Sequence, residues 1–192
     1  MILIRTKSNR LRINIIIFSV LYTMIFWSDV FANSITKENW LKHPDIIEVR
    51  KIFKDVNSLI EKKKLLLKKK DFEYCEPYQD TDRLLYLDPK TKNVRKYVFS
   101  GGSDDSARTI EAYYSPAGKI RFAYNRGAHA TNVDFEYRIY FNKNSEIIWR
   151  VFKLTVGEKV TVEYAAHSMY ENEIPYDPIS DFETDNICPE IK

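Results

Sequence analysis

The chain has 192 residues, of which 44% are hydrophobic and 30% charged, with 5 glycines, 7 prolines and 2 cysteines. This length suits one globular domain, and the high hydrophobic and aromatic content excludes an intrinsically disordered chain. Two cysteines are too few for a disulfide-rich scaffold, and the sequence contains neither a collagen-like period nor a heptad array.

The N-terminus has the three parts of an export signal, which are a basic segment, an apolar run and small residues at a cleavage site. An apolar run over residues 13–27 is followed by Val30 and Ala32, which suit cleavage after Ala32. The alternative is an uncleaved membrane anchor, but the run is shorter than the roughly 20 apolar residues that span a bilayer. We therefore expect residues 1–32 to be a cleaved signal peptide and the mature protein to be periplasmic or secreted, without membrane insertion after cleavage. The basic residues before the apolar run are Arg5, Lys7, Arg10 and Arg12.

Charge is balanced in the mature chain but unevenly distributed. The signal carries four of the 30 basic residues and one of the 27 acidic residues, so the remainder is neutral and gives no case for nucleic-acid binding. Residues 33–70 carry a net charge of +6, whereas residues 171–192 carry −6. This complementarity predicts that the acidic tail lies near the basic N-terminal helix, although exposed ion pairs contribute only ~0–1 kcal/mol each.

Cys75 and Cys188 are the two cysteines of the mature chain. Export to an oxidising compartment favours a disulfide between them, which would tie the tail to the start of the sheet. A redox-active pair is the alternative, but the sequence lacks a C-x-x-C spacing and acidic residues flank both cysteines. We predict a structural disulfide.

The first predicted element is an amphipathic helix from Asp45 to about Lys64, within a helical region spanning residues 33–70. Pro44 suits its first turn. Residues 65–70 fit either a last helical turn or the start of a strand. The apolar stripe of the helix consists of Ile46, Val49, Ile52, Phe53, Val56, Leu59 and Ile60.

From about Arg83 the hydrophobic period changes to two, which is typical of strands with one covered face. We therefore predict an α+β fold: the N-terminal helix packs on an antiparallel β-meander of about six or seven strands over residues 71–165, and an irregular acidic tail follows over 166–192. The helix should cover the apolar side of the sheet and leave the charged side wet. In the clearest strand the apolar side is Val133, Phe135, Tyr137, Ile139 and Phe141.

Tyrosine-led turn motifs recur 27 residues apart, beginning at Tyr86, Tyr113 and Tyr140. They predict strand–turn–strand units in which all five glycines fall in turns or return loops. In a meander, alternate loops meet at one end of the sheet. We therefore expect the loops at 101–106, 126–131 and 155–159 to be neighbours.

The converging loops supply one candidate site, formed by Asp104, Asp105, Arg126 and His129. A carboxylate beside a histidine is the minimum for general acid–base chemistry, and paired carboxylates suit a hard cation. However, these residue types also populate ordinary solvated turns, and the spacing matches no calcium-binding motif.

The wet side of the sheet supplies the second candidate site. Alternating charges with interspersed tyrosines suit a polar polymer or a protein partner, because Tyr and Arg are enriched in binding hot spots. The alternative is a ladder of cross-strand ion pairs on an ordinary exposed surface. The residues are Arg108, Glu111, Tyr113, Arg121, Glu136, Arg138 and Tyr140.

Together these features favour an exported, monomeric, non-catalytic binding module of the cell envelope or secreted fraction, with an unidentified protein or polymer partner and without a cofactor or metal. The alternatives are an enzyme with a shallow site at Asp104, Asp105 and His129, or a purely structural envelope component. No catalytic motif is visible in the sequence.

Overall fold

The computed structural model describes residues 34–75 and 78–184, and the side chains at 72–80 and at Met169 are not described. The predicted signal peptide and its cleavage site lie outside the described residues. So do Cys188 and the side chain of Cys75, so their disulfide stays a prediction. Residues Ser34 to Asn39 form a turn in which the Asn39 side chain accepts a 2.8 Å hydrogen bond from the Thr36 N–H.

The predicted helix is present as α1, Pro44–Glu61, preceded by a 3-10 turn at Trp40–Lys42. His43 caps it by accepting a hydrogen bond from the Asp45 N–H, and the fixed φ of Pro44 suits the first turn. The helix ends three residues earlier than predicted because Lys63 adopts a left-handed φ of 51°. The buried residues on its apolar stripe are Ile46, Val49 and Val56.

Eight antiparallel strands form one sheet in the order of the chain. The predicted meander is confirmed, but it has eight strands rather than six or seven, because residues 66–70 begin a strand and do not continue the helix. Three consecutive lysines in this edge strand hide the period of two. The strands are β1 (Leu66–Cys75), β2 (Tyr78–Leu87), β3 (Val94–Ser103), β4 (Ser106–Tyr114), β5 (Ile120–His129), β6 (Val133–Phe141), β7 (Ile147–Val156) and β8 (Lys159–Tyr164).

Side chains alternate between two faces of the sheet. We call the face that carries Tyr113, Phe122 and Tyr140, which lie opposite one another on β4, β5 and β6, the front face. The back face carries the row formed by Ala112, Ala123 and Ile139 on the same strands.

Helix α1 packs on strands β4, β5 and β6 across the front face. The Phe53 ring lies 4.8 Å from that of Tyr113 and 5.7 Å from that of Phe122. The prediction that this helix covers the apolar side of strand 133–141 is therefore wrong. It covers the side expected to be wet, because the Tyr113 ring on that side packs against Phe53 of the helix while its hydroxyl donates a hydrogen bond to Glu111.

The C-terminal segment, residues 166–184, covers the back face instead. It forms a 3-10 turn at Met169–Glu173 and the short helix α2, Pro178–Glu183, which packs on β2 and β3. Two of its residues, Ile174 and Phe182, join the hydrophobic core. The sheet contributes Leu85, Leu87, Val94, Tyr97, Ala112, Tyr114, Ile120, Ala123, Tyr137, Ile139 and Phe141 to that core.

The predicted position of the acidic tail, beside the helix, is also wrong for its described part. Arg83 of β2 donates hydrogen bonds to the carbonyl oxygens of Asp181 and Thr184, the latter at 2.9 Å. Arg150 of β7 contacts the Glu171 carboxylate at 2.8 Å. The described part of the tail therefore pairs with arginines of the strands. It forms helical turns and is not irregular as predicted.

Three of the five glycines lie within strands, contrary to the prediction that all fall in turns. Gly101 and Gly102 belong to β3 and Gly127 to β5, because these strands extend to the ends of the hairpins. A Cβ at Gly127 would overlap the ring of Phe135 on the neighbouring strand. Only Gly118 and Gly157 have the positive φ angles of turn glycines.

Candidate functional site

The loops predicted to converge do meet at one end of the sheet. Ala130 donates a backbone hydrogen bond of 2.8 Å to the Asp105 carbonyl, and Gly157 donates one of 2.9 Å to Asn132. The β3–β4, β5–β6 and β7–β8 turns, which alternate along the chain with the turns at the other end of the sheet, are therefore joined by backbone contacts.

Two of the four predicted loop-end residues come together there. His129 Nε2 lies 3.1 Å from a carboxylate oxygen of Asp105. A hydrogen bond from the Ser103 hydroxyl lowers the pKa of Asp105, and the nearby His129 ring acts in the same direction. Arg126 is directed to the front face, where it lies 3.8 Å from Glu111. Asp104 occupies the exposed two-residue turn between β3 and β4.

Both ring nitrogens of His129 already have partners in the turn. Nδ1 accepts a hydrogen bond from the Thr131 N–H at 3.2 Å and lies 2.8 Å from the Thr131 hydroxyl. The Asp105 and His129 side chains are exposed, at 61% and 42%. This arrangement holds the hairpin ends together and can also relay a proton between Thr131 and Asp105.

A cavity of about 550 Å³ lies beside this cluster. Its small lining residues are Gly101 and Gly102 of β3, Ala107 of β4 and Ala128 of β5. Its wall includes Phe135 and Tyr170, whose rings stack 4.5 Å apart. Arg108 spans the wall, with its guanidinium 4.9 Å from the Tyr170 ring. The cavity is therefore built from small residues under one aromatic pair.

The seven residues predicted for the wet sheet face do not form one surface. Arg108 lies on the back face, where its guanidinium contacts Asn125 and Glu173. Tyr113 and Tyr140 lie on the front face but are only 1% and 6% exposed. The two tyrosines are therefore not part of a wet surface, because Phe53 of α1 packs on the Tyr113 ring and Trp40 packs on the Tyr140 ring.

Arg121 is buried and joins the helix to the sheet. Its guanidinium donates hydrogen bonds to the Phe141 carbonyl at 3.2 Å and to Glu48 of α1 at 3.0 Å. The bond from Arg121 lowers the pKa of Glu48. This arginine orients the helix and is not available to a ligand.

The charged residues on the front face form a cross-strand ladder, as in the alternative interpretation of this surface. Glu111 contacts Lys96 Nζ at 2.7 Å and accepts a 2.6 Å hydrogen bond from the Tyr113 hydroxyl. Burial opposes ionisation of Glu111, but these two bonds outweigh burial and lower its pKa. Glu136 similarly meets Lys153 at 3.0 Å and contacts Arg138.

A cleft on the front face combines Arg138 and Tyr140 with residues that were not predicted to form a site. We call it the aromatic cleft; its volume is about 390 Å³. The Trp40 ring lies 5.8 Å from Tyr140 and 6.5 Å from Trp149, and so anchors the 3-10 turn to the sheet. The lining residues are Trp40, Leu41, Val49, Arg50, Phe53, Phe122, Tyr124, Arg138 and Tyr140.

Two arginines give this cleft its charge. Arg50 on α1 is exposed, and the Arg138 guanidinium lies 5.6 Å from the centre of the Tyr124 ring. Of the predicted residues, only Arg138 and Tyr140 belong to the cleft. The signal for the rest was the alternation Phe122–Tyr124 opposite Tyr140–Arg138, together with a tryptophan four residues before the helix.

None of the helices in the described ranges 34–75 and 78–184 has the length and hydropathy that a membrane crossing requires. Within the described side chains, no three His, Cys, Asp or Glu residues are grouped as metal ligands would be. Comparisons with protein-family models, curated proteins and solved structures gave no match.

Proposed function

We propose that this protein is an exported, non-catalytic binding module whose aromatic cleft takes a ligand that carries an apolar or aromatic group and a negative charge. The observation that carries the proposal is the cleft itself, where five aromatic rings, from two strands, α1 and the 3-10 turn before it, meet two arginines. The five rings are those of Trp40, Phe53, Phe122, Tyr124 and Tyr140.

The chemistry of these side chains supports that ligand class. Aromatic side chains offer a large contact area at a small cost in conformational entropy, and arginine pairs with carboxylate, sulfate or phosphate in a bidentate manner. A volume of about 390 Å³ suits a small molecule or one segment of a polymer. Arg50 is exposed, so an anionic group can reach it without opening the core.

Export is the second component of the proposal. It is supported by the basic, apolar and small-residue sequence of residues 1–32. Edman sequencing or mass spectrometry of the exported protein should find Asn33 at its N-terminus. An intact Met1 would contradict the cleavage.

The binding proposal is tested with two fluorescent probes of similar shape. 8-Anilinonaphthalene-1-sulfonate carries an aromatic body and a sulfonate, whereas N-phenyl-1-naphthylamine lacks the charge. We expect the anionic probe to bind the folded protein more tightly, because Arg50 and Arg138 flank the rings. Equal binding of the two probes would contradict the role of the arginines.

A matched pair of variants locates the binding site. Arg50→Gln should weaken binding of the anionic probe about tenfold, since an ion pair with arginine in a partly apolar site is worth about 1–2 kcal/mol. Lys51→Gln removes the same charge from an exposed neighbour outside the cleft and should leave binding unchanged. Equal losses in the two variants would show only an effect of net charge.

Catalysis at the loop end is the second candidate function, favoured by the 3.1 Å contact between His129 and Asp105 and by the Thr131 hydroxyl beside His129. If Thr131 acts as a nucleophile, a fluorophosphonate probe should label it, and His129→Gln should abolish the labelling. An unlabelled wild-type protein would remove this candidate.

A further inference from the structure

We infer that two copies of this chain pair edge to edge through β8, in antiparallel orientation with Thr161 opposite Thr161. Strand β8 ends the sheet, and no described strand pairs with its outer edge. Residues 159–163 are all exposed, including Val160 and Val162 at 54% and 43%. The inference does not depend on the proposed ligand, and it replaces the monomer expected from the sequence.

The backbone of β8 shows which groups the open edge presents. Ala165 donates a hydrogen bond of 3.0 Å to the Arg150 carbonyl on β7. Since the hydrogen-bonding direction alternates along an antiparallel strand, Glu163 and Thr161 also direct their N–H and C=O groups to β7. The N–H and C=O groups of Val160 and Val162 therefore point away from the sheet, toward a second strand.

The sequence of β8 is complementary to itself when it is reversed. With Thr161 at the centre, Lys159 lies opposite Glu163 of the second copy, and this pair occurs twice because the arrangement is symmetric. Val160 lies opposite Val162 of the second copy, also twice. Opposite charges and paired β-branched residues directly across a ladder are both favourable.

This register also fits the backbone. Val160 and Val162 become a hydrogen-bonded pair, so two such pairs supply four bonds across the edge. Thr161 then occupies a non-hydrogen-bonded pair with itself, where side chains approach most closely. Shifting the register by two residues would place Glu163 opposite Thr161 and lose both ion pairs.

The opposite edge of the sheet is built differently. In β1, Lys68, Lys69 and Lys70 follow one another, and edge lysines are a common means of preventing strand addition. Lys69 is also held by Asp71 at 2.7 Å. This contrast selects β8 as the edge that pairs and a second copy of β8, rather than β1, as its occupant.

Charge exchange tests the register in the full exported protein. Sedimentation velocity over a concentration series should show a monomer–dimer equilibrium. Lys159→Glu and Glu163→Lys should each weaken the dimer about tenfold, because each places like charges opposite one another at two symmetric positions. The double variant K159E/E163K should restore the dimer, whereas the control Glu61→Lys, exposed at the end of α1, should leave it unchanged.

A cysteine at the symmetry axis gives an independent test that a folding defect would not imitate. Thr161→Cys should form an intermolecular disulfide under mild oxidation, and peptide mapping should find position 161 linked to itself. Glu163→Cys should not link to itself. A monomer at every concentration, a double variant that stays dissociated, or growth beyond two copies through the β1 edge would each overturn the inference.

Discussion

The two faces of the sheet are covered by opposite ends of the chain, and they differ in chemistry. The back face is apolar and is sealed by the C-terminal segment, whose carbonyls and carboxylates meet arginines of the strands. The front face is amphipathic: α1 and the turn before it cover Tyr113 and Tyr140, while Arg138, Lys153 and the aromatic cleft remain partly exposed. We therefore expect the back face to contribute more to stability than the front face, where the proposed binding site lies.

The largest expected effect belongs to the back-face core. Phe141 is completely buried there. Phe141→Ala should lower the free energy of unfolding by about 3–5 kcal/mol, because it leaves a cavity in a packed core. Urea unfolding followed by circular dichroism measures this value. If Phe141→Ala lowers the free energy of unfolding less than Phe53→Ala on the front face does, the back face is not the more stabilising of the two.

Removing the anchor of the tail should have the next largest effect. Arg83→Met deletes the hydrogen bonds to the Asp181 and Thr184 carbonyls but keeps much of the side-chain volume. We expect a destabilisation of about 1–3 kcal/mol from the carbonyls left without their charged donor. Hydrogen exchange should increase in α2 and not in α1. Equal increases of hydrogen exchange in both helices would contradict the idea that α1 and α2 are held on the sheet independently of each other.

Acid should act on the front face through Glu111, whose pKa is lowered in the folded protein. A carboxyl with a depressed folded pKa contributes stability above its unfolded pKa, and this contribution is lost as the pH falls through the folded value. The free energy of unfolding should therefore decrease below about pH 4.5, the ordinary pKa of a glutamate side chain. Glu111→Gln should make the acid limb of the pH profile shallower.

The smallest expected effect on stability is that of Asp181 on the back face, and its pH dependence is opposite to that of Glu111. Burial raises its pKa, so the folded state binds a proton more tightly than the unfolded chain does. Its contribution to stability is present at low pH and is lost as the pH rises through the folded value. Asp181→Asn should thus stabilise the protein slightly at neutral pH, measured as a higher Tm. A lower Tm would show that the charge itself holds α2.

The sequence predicted the helix and the strands better than it predicted which segment packs on each face of the sheet. A stripe such as Ile46, Val49 and Val56 requires a helix, and the alternation of residues 133–141 requires a strand, because both periods follow from backbone geometry. Which element lies on which face depends on distant contacts. Tyr113 and Tyr140 fit both a wet and a covered face.

The same limit applies to the candidate site. The meander topology was sufficient to place Asp105 beside His129, since it fixes which turns share an end of the sheet. The aromatic cleft needs the position of Trp40 relative to Tyr140, 100 residues later in the chain. No local pattern encodes that distance.

Within residues 66–164 as the structure describes them, each strand is hydrogen-bonded only to the strands that precede and follow it in the chain. The connections between successive strands are short, so assembly of the sheet avoids the large entropic barrier that slows the folding of β-sandwiches with remote pairings. By contrast, the hydrogen bond from Arg83 to the Thr184 carbonyl closes a much longer loop, because the two residues are 101 positions apart in the chain. We therefore expect the strands of the sheet to pair early and rapidly, and the C-terminal segment to dock on the back face in a late, slow step of folding.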